Sequence, residues 1–217
     1  SFETHLKRGM TFFDVGAEHG IISAVIAREF VGPENMVLFE PSPEFWTNIR
    51  KIWAANELAD PKATFPGFVS DATTAKAIKQ AGRWPKWTSS EAPEVDAMAY
   101  RSLANDSDKV AVTSVTIDDF VKATKIHPDV INVDVEGAEM LVMKGATRTL
   151  LEDRPLVWLS VHPDLMLRDF GVEHVEELFE FMHSVGYGRN YLNTDHEQHH
   201  ELFPLEYVAP DAEWRPS

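Results

Sequence analysis

Short apolar runs and helical stripes alternate along the first part of the chain. Met10–Val15 is an apolar and β-branched run interrupted by Asp14, which predicts a buried strand. Ile21–Phe30 follows with Ile22, Val25, Ile26 and Phe30 at helical spacing. Met36–Glu40 predicts a second short strand. Ser42-Pro43 then opens a helix, with Ser as N-cap and Pro at the first helical position, and with Trp46, Ile49 and Trp53 on its apolar face. Ala63–Val69 is a weaker third strand. Pro85, Pro93, Gly82 and several Ser and Asp residues interrupt residues 72–113. Apart from a short helix at Ala72–Ala81, that stretch predicts an insertion or mobile lid.

Regularity returns with a helix over Thr116–Thr124, starting at Thr116 or Asp118. Val130–Val135 is a buried strand, and Ala138–Leu151 a helix presenting Met140, Met143, Ala146 and Leu150. Pro155–Val161 is another buried strand. Val172–Val185 is an amphipathic helix with Val175, Leu178, Phe179 and Met182 inward and Gly186 as its stop. Arg189–Asn193 and Leu202–Val208 predict an antiparallel hairpin. Strand–helix units that close on a hairpin predict one α/β domain over residues 1–217, a mostly parallel sheet with helices on both faces. Such sheets bind ligands beyond the carboxyl ends of their strands, where the strand order reverses.

Charge narrows the list of partners. The net charge is −15, and the densest basic cluster is Lys7–Arg8, so there is no basic stripe to follow a phosphate backbone and nucleic acid is not an expected partner. No segment approaches the roughly 20 apolar residues of a membrane span. There is no secretory signal, and the expectation is a cytoplasmic protein. The absence of cysteine excludes disulfides and thiolate metal sites.

The residues with chemistry gather at predicted strand ends. Gly16 lets the chain turn after the first strand, and Gly20 lets the next helix start close to it, with backbone N–H groups facing a ligand. Ala17 stands where a dinucleotide fingerprint has its middle glycine, which weakens a pyrophosphate reading. Glu40 ends the second strand, where a carboxylate can accept both hydroxyls of a ribose. Together Asp14, Gly16, Gly20 and Glu40 fit an adenosine-containing ligand. Asp134 and Glu136, beside Gly137, end a central strand near the switch point. They suit a general base, a positioning group, oxygen ligands for a divalent metal, or a helix cap.

The segments "FFDVGAEHG", "LFEPSP", "VTIDDF", "INVDVEGAEMLVMKGA" and "RPLVWLSVH" fall in the order and spacing of the FkbM-type S-adenosylmethionine-dependent methyltransferases, which the chain resembles from about Leu6 to His162. The resemblance implies a class I methyltransferase (Rossmann-like) three-layer sandwich, with a seven-stranded sheet whose last strand is antiparallel. It implies methyl transfer, most often to a hydroxyl oxygen of a sugar or polyketide-like product. Asp14, Gly16 and Gly20, with Ala17 and Glu18 between them, would wrap the methionine part of S-adenosyl-L-methionine. Glu40 would hold the ribose, Pro41 and Ser42 would border the adenine, and Asp71 of "VSDA" would reach the adenine edge. Asp134 and Glu136 would face the methyl group and a small-molecule or glycan acceptor. Three departures concern the acceptor side. Asn132 stands where the family commonly has Lys, Ser160 where it commonly has Glu, and only nine residues precede Met10 where the family usually has a longer stretch, which implies a missing or different substrate cap.

His162, in "SVHPD", ends the fifth strand beside Asp134 and is a second base candidate, against a reading as a loop histidine. A divalent metal on Asp134 and Glu136 is an alternative to the base, and no metal is predicted. "HEQHH" at 196–200 matches a zinc-protease pattern, but it lies between two strand-like runs with no amphipathic helix around it, and reads as a solvated turn. Trp84 and Trp87 are lid residues or core cover. Two rival functions remain: a nicotinamide-dependent oxidoreductase on a similar sheet, and a non-catalytic methyltransferase-like binding module.

Overall fold

The computed structural model describes residues 2–74, 77–82, 84, 113–172, 175–194 and 197–205. Most of the expected insertion, with Trp87, Pro85 and Pro93, lies outside them, as does His196. A short helix α1 (Phe2–His5) precedes β1 (Phe12–Val15). The chain continues through α2 (Ile21–Ile26), which runs on as a π-helical turn over Ala27–Val31, then β2 (Met36–Phe39), α3 (Pro43–Ala55) and β3 (Ala63–Phe65). Next come β4 (Phe68–Val69), β5 (Ser114–Val115), α4 (Ile117–Thr124) and β6 (Val130–Val133). The last part comprises α5 (Glu139–Gly145), α6 (Thr147–Glu152), β7 (Leu156–Val161), α7 (Pro163–Phe170), α8 (Glu176–Ser184), β8 (Tyr187–Thr194) and β9 (Gln198–Pro204).

Seven strands form one sheet in the order β3-β2-β1-β6-β7-β9-β8, and β4 and β5 pair separately. From β3 to β7 all pairings are parallel, while β9 runs antiparallel to both β7 and β8. The order reverses between β1 and β6, so the end of β1 is the switch point.

Strand alternation divides the core between the two faces of the sheet. Phe13, Val15, Val37, Phe39, Ile131 and Val133 pack on one side, with Phe120 and Met143. Phe12, Met36, Leu38 and Val130 pack on the other, with Ile26, Trp46, Ile49 and Trp53. Each fully buried side chain of this size contributes about 1.5–3 kcal/mol relative to exposure. The second face also carries polar residues in one row, because Asp14 pairs with Asn132, Asn132 with Trp158, and Trp158 with Glu201.

The helix over 21–30 buries a different face from the expected one. Ser23, Ala24 and Ile26 are inward, whereas Ile22 and Val25 are about half exposed. Gly20 explains this, since a Cβ there would lie 2.8 Å from Ile49 on α3, and so close an approach favours small inward side chains. The helix expected at 138–151 breaks in two at Gly145 and Ala146, where Gly145 packs against the Ser70 carbonyl. Sequence reading missed α7, although Pro163 at its first turn and Gly171 at its left-handed cap are ordinary boundary signals. Thr116 caps α4 as expected, accepting from the Asp119 N–H at 2.9 Å. Trp84 covers the core, edge-on to Trp46 and Trp53, with its Nε1 donating to Asp60. No helix among the described residues is long and apolar enough to cross a membrane.

Candidate active site

The first half of the site is the loop from β1 into α2, closed by the end of β2. Gly16 turns at φ 89°, and any Cβ on it would collide with the Asp134 carbonyl oxygen, so this position has to be glycine. The Gly16 and Ala17 N–H groups both donate to the Phe39 carbonyl, and the Gly20 N–H donates to Ala17. The Glu18 N–H donates to Glu40 Oε2 at 2.9 Å, and the Ser42 N–H to Glu40 Oε1 at 2.7 Å. Much of the N–H capacity of the loop before α2 is therefore spent on shaping the loop.

Glu40 is buried, and burial is the main reason its carboxyl is pushed up to about 7. Two backbone hydrogen bonds oppose that shift, while the charges of Glu18 and Asp14 add to it. Asp14 is also buried, accepting from Ser23 Oγ and, at 2.9 Å, from Asn132 Nδ2. Its pKa is raised by burial against those two hydrogen bonds. Pro41 and Ser42 lie half-buried at the start of α3. Ser42 is the N-cap residue, but its side chain makes no cap hydrogen bond.

The second half stands at the ends of β6 and β7 and the start of β9. The Asp134 N–H donates to the Val15 carbonyl, which ties this end of β6 to the Gly16 turn. Glu136 has φ 54° and is exposed, and Gly137 follows at φ 103°, packed against Leu165 of α7. Glu139 begins α5 with no exposed surface; its Oε1 accepts from the Gly137 N–H at 3.0 Å and bonds His162 Nδ1 at 2.7 Å. His162 Nε2 lies 2.6 Å from Glu197 Oε2 and 3.7 Å from Asp134 Oδ1. Three carboxylates thus surround one imidazole. Burial alone would lower the His162 pKa, but the Glu139 hydrogen bond and the charges of Glu139, Glu197 and Asp134 push it up to about 9. The three carboxylates favour the protonated form of its ring. Asp134 is raised to about 7, first by burial and then by the charge of Glu197.

A model of the methyltransferase FkbM domain matches residues 14–188, well over half of the chain. The chain belongs to the FkbM methyltransferase family. Its fold is similar to that of methyltransferase FkbM from Methylobacillus flagellatus KT, with a TM-score of 0.54 at 15% identity, covering 90% of this chain and 43% of that one. It is also similar to a methylase from Clostridium thermocellum, with a TM-score of 0.53 at 10% identity, covering 95% of this chain and 93% of that one. No curated protein matches the sequence. Family and fold are those of a methyltransferase domain.

Within this FkbM domain the expected residues fall into groups. Asp14, Gly16, Ala17, Glu18, Gly20, Glu40, Pro41 and Ser42 share the β1–β2 end of the sheet, and Asp134 and His162 adjoin each other at the β6–β7 end. Asp71 is exposed after β4 of the small sheet, beside Ser70 and Gly145. Asn132 and Ser160 both have local partners, Asp14 and His199. Sequence reading missed Glu139 and Glu197. The signal for Glu139 was an acid inside the apolar start of a helix, in "VEGAEMLV". The signal for Glu197 was "HEQHH", whose described residues 197–200 form no helix, as expected, but are not a solvated turn either. Gln198 begins β9, and Glu197 and His200 are buried. His200 is a core histidine, ringed by Phe179 and Tyr191 and lowered to about 4 by burial, Arg189 and His199.

Proposed function

We propose that this FkbM domain methylates a hydroxyl oxygen of a sugar or natural-product acceptor, using S-adenosylmethionine held along Asp14–Ser42. The observation that carries this reading is the disposition of two carboxylates. Glu40 follows β2 and Asp134 follows β6, and each senses the charge of Asp14, which lies on β1 between those strands. The donor set suits the group. Glu40 offers carboxylate lone pairs to a ribose diol, and Asp14 puts negative charge beside a cationic sulfonium. When bound, S-adenosylmethionine supplies an electrophilic methyl carbon.

The residues of the chain do the rest. Glu40 and the Gly16–Gly20 turn fix the donor, and alignment with the acceptor accounts for most of the acceleration. Asp134, whose side chain is 41% exposed, is the accessible member of its cluster and takes the proton that leaves the acceptor hydroxyl. His162, clamped by Glu139, orients that carboxylate. The surrounding acids favour a neutral acceptor over a phosphorylated one or a nucleic acid.

The test is calorimetric titration with S-adenosylmethionine, for the protein and for Glu40→Ala, followed by transfer of labelled methyl to a panel of glycosides. Binding lost in the variant, with label on oxygen, is the expected result. Absence of binding overturns the cofactor assignment, and binding without turnover on any hydroxylated acceptor favours a non-catalytic module.

A further inference from the structure

We propose that Asp134, His162 and Glu197 form a divalent-cation site at the meeting of β6, β7 and β9. One ligand atom of each lies within 4.8 Å of the other two. Adjacent ligands on a cation with bonds of about 2.1 Å stand about 3 Å apart. The His162 Nε2 separations of 2.6 Å to Glu197 and 3.7 Å to Asp134 bracket that value.

A second, independent observation concerns the other ring nitrogen. Glu139 is fully buried and takes Nδ1 at 2.7 Å, which directs Nε2 toward Asp134 and Glu197. Metal-binding imidazoles are held in this way, by a carboxylate behind the ring. Two carboxylates and an imidazole neutralise a dication, and a set of nitrogen and oxygen donors without sulfur suits Mn²⁺, Mg²⁺ or Zn²⁺.

The three ligands lie on paired strands, since Val161 stands opposite Gln198 and Val133 opposite Leu159. His162 and Glu197 are each 8% exposed and close the site from one side, while the more open Asp134 leaves the other side to an incoming oxygen. Glu136 is the further ligand that sequence reading suggested for a metal; it is exposed and outside the cluster. The use of the cation rests on the proposed methyl transfer: it would hold the acceptor hydroxyl beside one Asp134 oxygen, while the other Asp134 oxygen takes the hydroxyl proton. The binding itself does not depend on that reading.

The experiment titrates the whole chain with Mn²⁺ alone and with Zn²⁺ alone, by calorimetry and, for Mn²⁺, electron paramagnetic resonance. Glu197→Gln, Asp134→Asn and Glu139→Gln are measured in parallel, with S-adenosylmethionine affinity and thermal melting as fold controls. The expected result is one saturable site for at least one cation, weakened about 10–100-fold in Glu139→Gln and at least as much in the two ligand variants, with cofactor affinity unchanged. Absence of saturable binding in the unmodified chain overturns the site, as does equal binding in Asp134→Asn, whose partly exposed position makes it the variant least dependent on refolding. Loss of cofactor binding alone would strike the proposed function and leave the cation site standing.

Discussion

The two sides of the cleft differ in how they are assembled. The side assigned to the cofactor comes from one continuous stretch, Asp14 to Ser42, in which Glu40 is tied to the backbone of Glu18 and Ser42. The side assigned to the acceptor comes from three strands distant in sequence, where Glu139, Glu197 and Asp134 crowd onto His162. Local backbone hydrogen bonds stabilise the first. The second depends on the balance of buried charge, in which removing one partner leaves another uncompensated.

Four predictions test that contrast. Gly16→Ala should damage both sides together, because its Cβ would drive the turn away from the Asp134 carbonyl at a positive φ. A loss of about 3–5 kcal/mol in denaturant unfolding is expected, and a loss under 1 kcal/mol would mean that the sides are not joined there. Asp134→Asn should separate them: methyl transfer falls by about 10²–10⁴ while calorimetry shows unchanged cofactor affinity. Glu40→Ala should do the reverse, weakening S-adenosylmethionine binding by roughly 10–100-fold, with a stability loss of about 1–3 kcal/mol from the two backbone N–H groups that lose their acceptor.

The smallest effect is one of pH. Glu40 must be ionised to accept ribose hydroxyls, and its carboxyl sits at about 7, so affinity should weaken roughly fivefold from about pH 7 to about pH 6. Glu40→Gln should flatten that slope. The stability of the unliganded fold has the opposite sign. A carboxyl raised by folding stabilises the fold at low pH, and its contribution is lost as pH climbs from the ordinary carboxylate range to about 7.

The same contrast explains what the sequence disclosed. Gly16, Gly20 and Glu40 were legible because turn chemistry and a strand end within one βα unit determine them. The sheet, its switch point and its antiparallel last strand followed from the repeat of strand and helix patterns. Glu197 was not legible, since its value comes from β9 pairing with β7, and no local pattern reports a partner so distant in sequence. Ser160 makes the point sharply. The resemblance leads one to expect Glu at that position; the chain has Ser, and a carboxylate reaches this end of the sheet from β9 instead. The outward face of α2 was misread because periodicity finds an apolar stripe without saying whether bulk can fit beneath it.

The sheet order has a consequence for the chain as it is being made. Among the described strands of this sheet β9 is the last to be synthesised, yet it lies between β7 and β8 and not at the edge. Until it leaves the ribosome, β8 has no neighbour to pair with in this sheet, and β7 presents an open edge beside His162. The β1–β2 loop can close around Glu40 much earlier. A nascent chain that stalls before Gln198 would therefore have the residues to grip the cofactor but not those to complete the acceptor side, so competence for chemistry arrives only with the final strand.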